Sequence, residues 1–148
     1  MKRNFKFGVD ANVLVQLFDK DGNLKEQREI HNAVTTAGKN AIADQILASP
    51  SLNKMTHMEL GTGTGGTTAL NAYIAGSRVA FTTKTRLNAV VTVVGIFGAG
   101  VGTGNITEAG TFDAATENGG NMWMYSSFTS IPKGASDSLT ITWTLTVG

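Results

Sequence analysis

The stretch Leu139-Thr140-Ile141-Thr142-Trp143-Thr144-Leu145-Thr146-Val147 alternates apolar and polar residues without a break. Side chains on a β-strand point to opposite faces with a period of two, so this stretch predicts a strand with one apolar face and one face of threonines. Full burial of each large apolar side chain contributes roughly 1.5–3 kcal/mol before the entropy lost on folding is subtracted. We therefore expect a layered antiparallel β protein in which this strand forms part of the core.

The composition favours the same class. The chain has 148 residues, 41% of them hydrophobic, which suits one domain with one core. Charged residues are only 16%, below the usual quarter, and there are 18 glycines. We expect a mainly β fold, an antiparallel, jelly-roll-like β-sandwich with one short α-helix and an N-terminal hairpin. A single domain would span residues 1–148, with residues 1–31 as a possible hairpin or arm; the chain near Asn32 is either a boundary or an internal loop.

Turn residues divide the chain into roughly seven to nine short strands at the spacing of a sandwich. Asp21-Gly22 supplies turn chemistry for the N-terminal hairpin, and the half-charged side of residues 24–30 predicts that its second strand lies at a sheet edge. Residues 61–66 and 98–104 are glycine-rich connections, and residues 69–74 are either a helical turn or an extended segment. The predicted strands cover residues 4–30 (the hairpin), 55–60, 78–85, 87–97, 106–112, 122–128 and 139–147, with a turn at 131–134.

One segment, Thr35 to Ala48, predicts a helix. Thr35 or Thr36 can serve as its N-cap, accepting hydrogen bonds from backbone N–H groups of the first turn. Ile42, Ile46 and Leu47 form a narrow apolar stripe along it. The segment Ser49-Pro50-Ser51 is expected to end the helix.

Charge and cysteine content exclude several classes of function. The net charge is +1, which leaves no electrostatic footprint for nucleic acid. Lys2, Arg3 and Lys6 cluster near the start, as a solvated terminus or as a contact for an acidic neighbour. The chain has no cysteine, so disulfides and thiolate chemistry are excluded. No apolar run approaches the ~20 residues that span a bilayer, and the N-terminus lacks the apolar core of a signal peptide, so we expect no membrane partner and no Sec export.

Two motifs resemble ligand-binding loops but depart from them. Residues Gly61 to Gly66 are followed by Thr67-Thr68, whereas a phosphate-binding P-loop needs a lysine there. Residues Asp19 to Asn23 resemble the start of a calcium loop, but the glycine comes fourth and Ile30 stands where a bidentate glutamate is needed. A mobile or partner-contacting loop is the better interpretation of residues 61–66, and a hairpin turn is the better interpretation of residues 19–23.

No residues form a convincing catalytic or metal-binding set. His31 and His57 lack partners at helical spacing. Glu108 is a lone carboxylate among small residues, which favours a structural hydrogen-bond acceptor or an interface residue. Trp123, Tyr125 and Phe128 could form a platform for sugars, although aromatic strands are more often core or subunit interface. We therefore predict that the protein is not an enzyme, that it uses no cofactor, and that it has no catalytic, cofactor-binding or metal site.

Several segments, in order, resemble small structural proteins of tailed bacteriophages. The resemblance is to capsid decoration (cement) proteins and to the N-terminal attachment domains of tail fibres, and it covers about residues 31–147. The segments are His31–Lys39, Met55–Gly63 followed by a threonine-rich loop, Leu70 and Arg78, Ile106–Asp113, and Phe128–Ile131 with Lys133 and the strand Asp137–Trp143.

The resemblance implies a structural role in a virion that is assembled in the host cytoplasm. A chain that stops at Gly148 would be a single module without the shaft of a fibre. Such a module would bind the major capsid protein or another virion protein, as a homo-oligomer that the resemblance suggests is a trimer. The first expectation is capsid decoration; a tail adaptor, or a fibre or baseplate attachment module, is the second. A carbohydrate-binding module is the alternative from another class.

Overall fold

The computed structural model describes residues 8–148, which form nine β-strands and one α-helix. The predicted hairpin residues 4–7 lie outside the described residues. In chain order the elements are β1 (Val9–Phe18), β2 (Leu24–Val34), α1 (Thr36–Asp44), β3 (His57–Gly61), β4 (Val79–Ala80), β5 (Thr83–Leu87), β6 (Val90–Phe97), β7 (Gly104–Phe112), β8 (Met122–Lys133) and β9 (Ser138–Val147).

All strands belong to one curled antiparallel sheet in the order β4-β3-β7-β8-β2-β1-β9-β6-β5. The pairs β1–β9, β2–β8 and β3–β7 are nested, as in a long hairpin that is rolled up on itself. This nesting is the jelly-roll-like feature of the fold. The predicted fold class, mainly β and sandwich-like with one short helix, is confirmed.

The two outermost strands of the sheet, β4 and β5, are consecutive in the chain. Only Phe81 and Thr82 lie between them. The N–H of Phe81 donates to the carbonyl of Thr56 beside β3, at 2.9 Å, and the N–H of Thr82 donates to the carbonyl of Val94 on β6, at 2.8 Å. The sheet therefore curls until its two edges meet at this link, and it encloses the core between its halves.

The last strand lies at the centre of one half of the sheet. β9 pairs with β1 along its whole length and with β6 along most of it. Its apolar face is buried as predicted, and the opposite face of threonines is half-buried. Trp143 lies between Val13 of β1 and Val93 of β6, and all three side chains are buried.

Strand β7 is buried on both faces, which its sequence does not predict. From Glu108 to Phe112 every residue is buried. One face, with Ile106 and Ala109, belongs to the main core, whereas Phe112 packs with Leu70 and Met122 in a second small cluster. A layer of loops therefore covers the outer face of the sheet at β3 and β7.

The predicted strand over residues 78–85 is divided in two, because the chain bends at Phe81 and Thr82 to cross from one edge of the sheet to the other. Its second part, in β5, pairs with β6. The predicted turn at residues 131–134 was wrong, because β8 continues through Pro132 to Lys133 and turns only afterwards. Proline is tolerated there because β2 pairs with β8 only at Ala33 and Val34, so the missing N–H of Pro132 interrupts no ladder on that side.

The hairpin is part of the sheet. Residues 24–32 of β2 pair only with β1, so they form an open edge as predicted, although β8 joins at the end of the strand. On its other side, β1 pairs with β9 along its whole length.

The helix is shorter than predicted, and only the first residue of its apolar stripe packs against the core. Thr35 is the N-cap, and its hydroxyl accepts from the N–H of Gly38 at 2.9 Å. The helix ends at Asp44 because this side chain accepts from the Ser51 hydroxyl at 3.0 Å and the Leu52 N–H at 2.8 Å, which folds the chain back. Ile42 packs against the core, whereas Ile46 is 84% and Leu47 59% exposed.

Within residues 8–148, no helix has both the length and the hydropathy of a membrane-spanning segment.

Replacing Trp143 with alanine should lower the free energy of unfolding by about 3–5 kcal/mol, because it leaves a cavity between Val13 and Val93. That loss is a large part of the roughly 5–15 kcal/mol by which domains are stable, so the variant should unfold or aggregate. Urea denaturation followed by circular dichroism measures the change. Thr144→Ala, on the opposite face of the same strand, is the control and should cost about 1 kcal/mol or less. Unchanged melting of Trp143→Ala would refute the core assignment.

Candidate functional site

Two buried carboxylates lie on the outer face of the sheet, under the layer of loops. Glu59 is on β3 and Glu108 is on β7, and both are fully buried. Glu108 is opposite Gly61 and Glu59 is opposite Gly110 in the β3–β7 ladder, so both side chains project from the same face. We call these groups and the loops that they bind the carboxylate layer.

Glu108 accepts four hydrogen bonds. Its Oε1 accepts from the N–H groups of Gly63 at 3.2 Å and Ala72 at 2.8 Å. Its Oε2 accepts from the N–H of Asn71 at 3.2 Å and the hydroxyl of Tyr125 at 2.8 Å. A buried carboxylate is stable only where such donors replace water. The interpretation of Glu108 as a structural acceptor is confirmed.

The glycine-rich loop after β3 is anchored by this carboxylate. A Cβ at Gly61 would collide with the Glu108 side chain and with the carbonyl of Ala72, so glycine is needed for the carboxylate and this loop to pack against β3. The Thr107 hydroxyl donates to the carbonyl of Gly63 at 2.7 Å, and the N–H of Thr62 donates to the carbonyl of Ala72 at 2.8 Å. The start of this loop is therefore pinned to β7, contrary to the expectation of a flexible loop.

Glu59 forms a buried ion pair with Arg78. The Nη2 of Arg78 lies 2.9 Å from Glu59 Oε2, and both side chains are almost completely buried. The guanidinium lies over the Phe112 ring, 3.8 Å from its centroid. Removing one partner of such a pair would leave an uncompensated buried charge. The pair therefore ties the segment before β4 to the sheet.

The same pair holds the long turn between β7 and β8. Arg78 donates to the carbonyls of Ala114 at 2.8 Å and Gly119 at 3.2 Å. The N–H of Asn118, a residue with a positive φ of 51°, donates to Glu59 Oε1 at 3.1 Å. The Nε of Arg78 is buried without a hydrogen-bond partner among the described residues.

Another buried charge lies at the opposite end of β8. Lys133 is buried, and its ammonium donates to the carbonyl of Gly98 at 2.9 Å, which fixes the second glycine-rich connection. Burial lowers the pKa of Lys133. Asp137 accepts from the N–H of Gly134 at 2.8 Å and pairs with Lys25 at 3.0 Å. These two contacts hold the pKa of Asp137 below its usual value.

The arrangement of the carboxylate layer is suited to holding loops. Each oxygen of Glu59 and Glu108 is within hydrogen-bond distance of at least one donor from the protein. General acid–base catalysis needs a carboxyl group within reach of a substrate proton, and these two are covered. Burial raises the pKa of Tyr125, and the hydrogen bond to the Glu108 carboxylate raises it as well. The phenol therefore stays protonated and acts as the donor in this bond.

The Asp19 segment is a hairpin turn, as predicted. Asp19 accepts from the N–H groups of Asp21 and Asn23, both at 2.9 Å, and these bonds lower the pKa of its carboxyl group. Gly22 has a φ of 85°, which the turn requires. The carboxylate is thus used within the turn.

The two histidines are on different strands and do not share a site. His31 is exposed on β2, where it contacts Asp10 at 2.9 Å and Asn12 at 2.8 Å. His57 begins β3 beside the Thr56 hydroxyl, at 2.7 Å. Burial, and then the charge of Arg78, lowers the pKa of His57. No group of three or more His, Asp or Glu side chains within residues 8–148 could hold a metal ion.

The aromatic residues of β8 do not form a sugar-binding platform. Trp123 is only 5% exposed and packs in the main core. Tyr125 is half-buried and donates to Glu108, and Phe128 packs against the core. The interpretation of these three residues as core is confirmed for Trp123 and Phe128, whereas Tyr125 packs under the loop layer, so the alternative of a sugar platform finds no support in their positions.

Sequence reasoning missed the partners of the carboxylate layer. Glu59 lies between Met58 and Leu60, and all three are buried. Strand alternation would instead place Glu59 in solvent. The only indication in the sequence is that Glu59 and Arg78 both belong to the segments that resemble phage structural proteins.

Comparison with known proteins identifies no relative: no protein-family model, curated protein or solved structure matches this chain.

Replacing Glu108 with glutamine should lower the free energy of unfolding by about 1–3 kcal/mol, because the amide NH₂ cannot accept from the N–H of Asn71 or Ala72. Urea denaturation measures the loss. Amide hydrogen exchange should also speed up at Gly63, Asn71 and Ala72. Glu29→Gln, at an exposed position of β2, is the matched control and should change stability by about 0.5 kcal/mol or less. Equal stability of the two variants would contradict a structural role for Glu108.

Proposed function

We propose that this protein is a structural component of a tailed bacteriophage virion and that it decorates the capsid by binding the major capsid protein. The proposal starts from the ordered resemblance of residues 31–147 to such proteins. The observation that carries it is the position of the resembling residues, since they supply the contacts that hold the loops. Glu59, Gly61, Arg78 and Glu108 all belong to the resembling segments, and all lie in the carboxylate layer.

A loop layer that is fixed by hydrogen bonds suits a protein that acts by binding a neighbour. Association costs free energy for every loop and side chain that becomes ordered in the complex. Here the loops after β3 and β7 are already fixed by Glu108 and by the Glu59–Arg78 pair. Such a surface is preorganised, so less free energy is spent on ordering its loops when a partner binds.

Exposed apolar side chains provide area that a neighbour can bury. Protein interfaces bury apolar side chains at their centres, and each buried CH₂ contributes about 0.8 kcal/mol. The larger exposed apolar residues are Leu24, Ile46, Leu47, Leu52, Tyr73, Leu87 and Ile96.

The same features would serve a tail adaptor or a fibre or baseplate attachment module, which is the second candidate from the resemblance. Both roles place the protein in the virion, as a homo-oligomer for which the resemblance suggests a trimer. They differ in copy number, because a decoration protein covers the capsid and a tail part occurs a few times per particle.

The experiment is quantitative gel electrophoresis or mass spectrometry of purified virions of a phage whose genome encodes this protein. Decoration predicts a copy number comparable with that of the major capsid protein. A handful of copies would reject decoration in favour of the tail. Absence from purified virions would reject both roles, and binding of the isolated protein to a glycan array would then favour a carbohydrate-binding module.

A further inference from the structure

An apolar groove lies between α1, the segment after it, and one end of β9. A cavity of about 510 Å³ opens there, and a second of about 560 Å³ adjoins it at Ile42 and continues along α1 past Ile46. The apolar side chains of the groove are Ile42, Met55, Val91, Val93, Trp123, Leu145 and Val147.

The described residues only partly cover this groove. Val93 is buried, whereas three other apolar side chains of the groove are only half-buried. They are Ile42 and Val91, which pack against the core, and Val147. Ile46, at the adjoining cavity, is the most exposed large apolar residue. The groove therefore presents apolar surface that another chain can bury.

Cations surround the groove. Lys54, Lys84 and Arg86 line the first cavity and Lys39 lines the second, and no Asp or Glu among the described residues lines either one. All four are exposed. The whole chain has 12 basic and 11 acidic residues, so this concentration of one sign is local.

The register of β5 points two of the cations into the groove. Lys84 is opposite Val93 and Arg86 is opposite Val91, so the two cations share a face with the apolar floor. β5 is the last strand of the sheet, and inward-pointing charges at such an edge also discourage unwanted strand pairing. That protection accounts for Lys84 and Arg86, but not for Lys39 on the helix or Lys54 after it.

We infer that the groove binds an acidic, apolar-rich peptide segment of a neighbouring protein, with carboxylates beside the four cations and apolar side chains on the floor. The inference rests on the proposed function in taking that neighbour to be another virion protein. Charge complementarity selects this occupant. The chain's own residues 1–7 carry Lys2, Arg3 and Lys6 and no acid. At the exposed hairpin tip, a second copy offers Asp21 and Leu24, but the cations Lys20 and Lys25 lie beside them and would be repelled by the groove.

The probes are three fluorescein-labelled peptides of about ten residues, long enough to span the groove as a strand. One alternates leucine with glutamate, and the other two replace glutamate with glutamine or lysine. Fluorescence anisotropy with the full chain measures binding. The acidic peptide should bind most tightly, and binding should weaken as salt rises from ~0.05 M to ~0.5 M because exposed charges are screened.

Two variants place the binding in the groove. Lys84→Glu combined with Arg86→Glu should weaken binding of the acidic peptide about tenfold or more. Ile46→Ser should weaken it by a smaller factor. The matched controls, Lys20→Glu and Leu24→Ser, lie at the hairpin tip beside the other end of β9 and should bind as the unmodified chain does. All of these side chains are exposed, and circular dichroism should show that each variant folds.

Equal binding of the acidic and glutamine peptides, or no binding of either, would overturn the inference. It would also be overturned if peptide binding appeared only after deletion of residues 1–7, because the groove would then hold the chain's own segment. Self-association of the unmodified chain in light scattering that is lost in the Lys84→Glu, Arg86→Glu variant would instead assign the groove to a second copy. None of these outcomes changes the virion copy number, which tests the proposed function separately.

Discussion

The pairing of β9 with β1 on one side and β6 on the other is the constraint on which the rest of the structure depends. It brings the first strand and the last together, so the chain must roll up between them into the nested pairs. The apolar face of β9 is then buried from Leu139 to Leu145 in the core between the two halves of the curled sheet, with Trp143 among its residues. The loops are added outside this framework, on the far face of β3 and β7.

The fold could be predicted where one physical signal acts alone. The alternation in residues 139–147, the Asp21-Gly22 turn and the Thr35 cap each determine local structure without help from distant residues. The exceptions depend on tertiary contacts. β7 lacks alternation because loops cover its second face, and β8 continues through Pro132 because no neighbour needs the missing N–H. The helix ends early because Asp44 binds the segment that follows it.

The candidate site was predictable only in part. Glu108 among small residues predicts a structural acceptor, since small neighbours leave room for a carboxylate to approach a backbone. Its donors at Gly63, Asn71 and Ala72 come from a loop whose path depends on the whole sheet. Strand periodicity would place Glu59 in solvent, and its burial depends on Arg78 and on the N–H of Asn118, which come from two loops distant in the sequence. The result is a polar outer layer whose hydrogen bonds fix loops, and a separate cationic groove that residues 8–148 only partly cover.

Native-state hydrogen exchange tests the central position of β9 most directly. If β9 holds the two halves of the sheet together, its amides can exchange only when the whole domain unfolds. Their free energy of opening should then equal the global free energy of unfolding from urea denaturation, whereas amides of α1 should open at lower free energy. Exchange of the β9 amides by local opening, while those of β7 and β8 stay protected, would contradict the account.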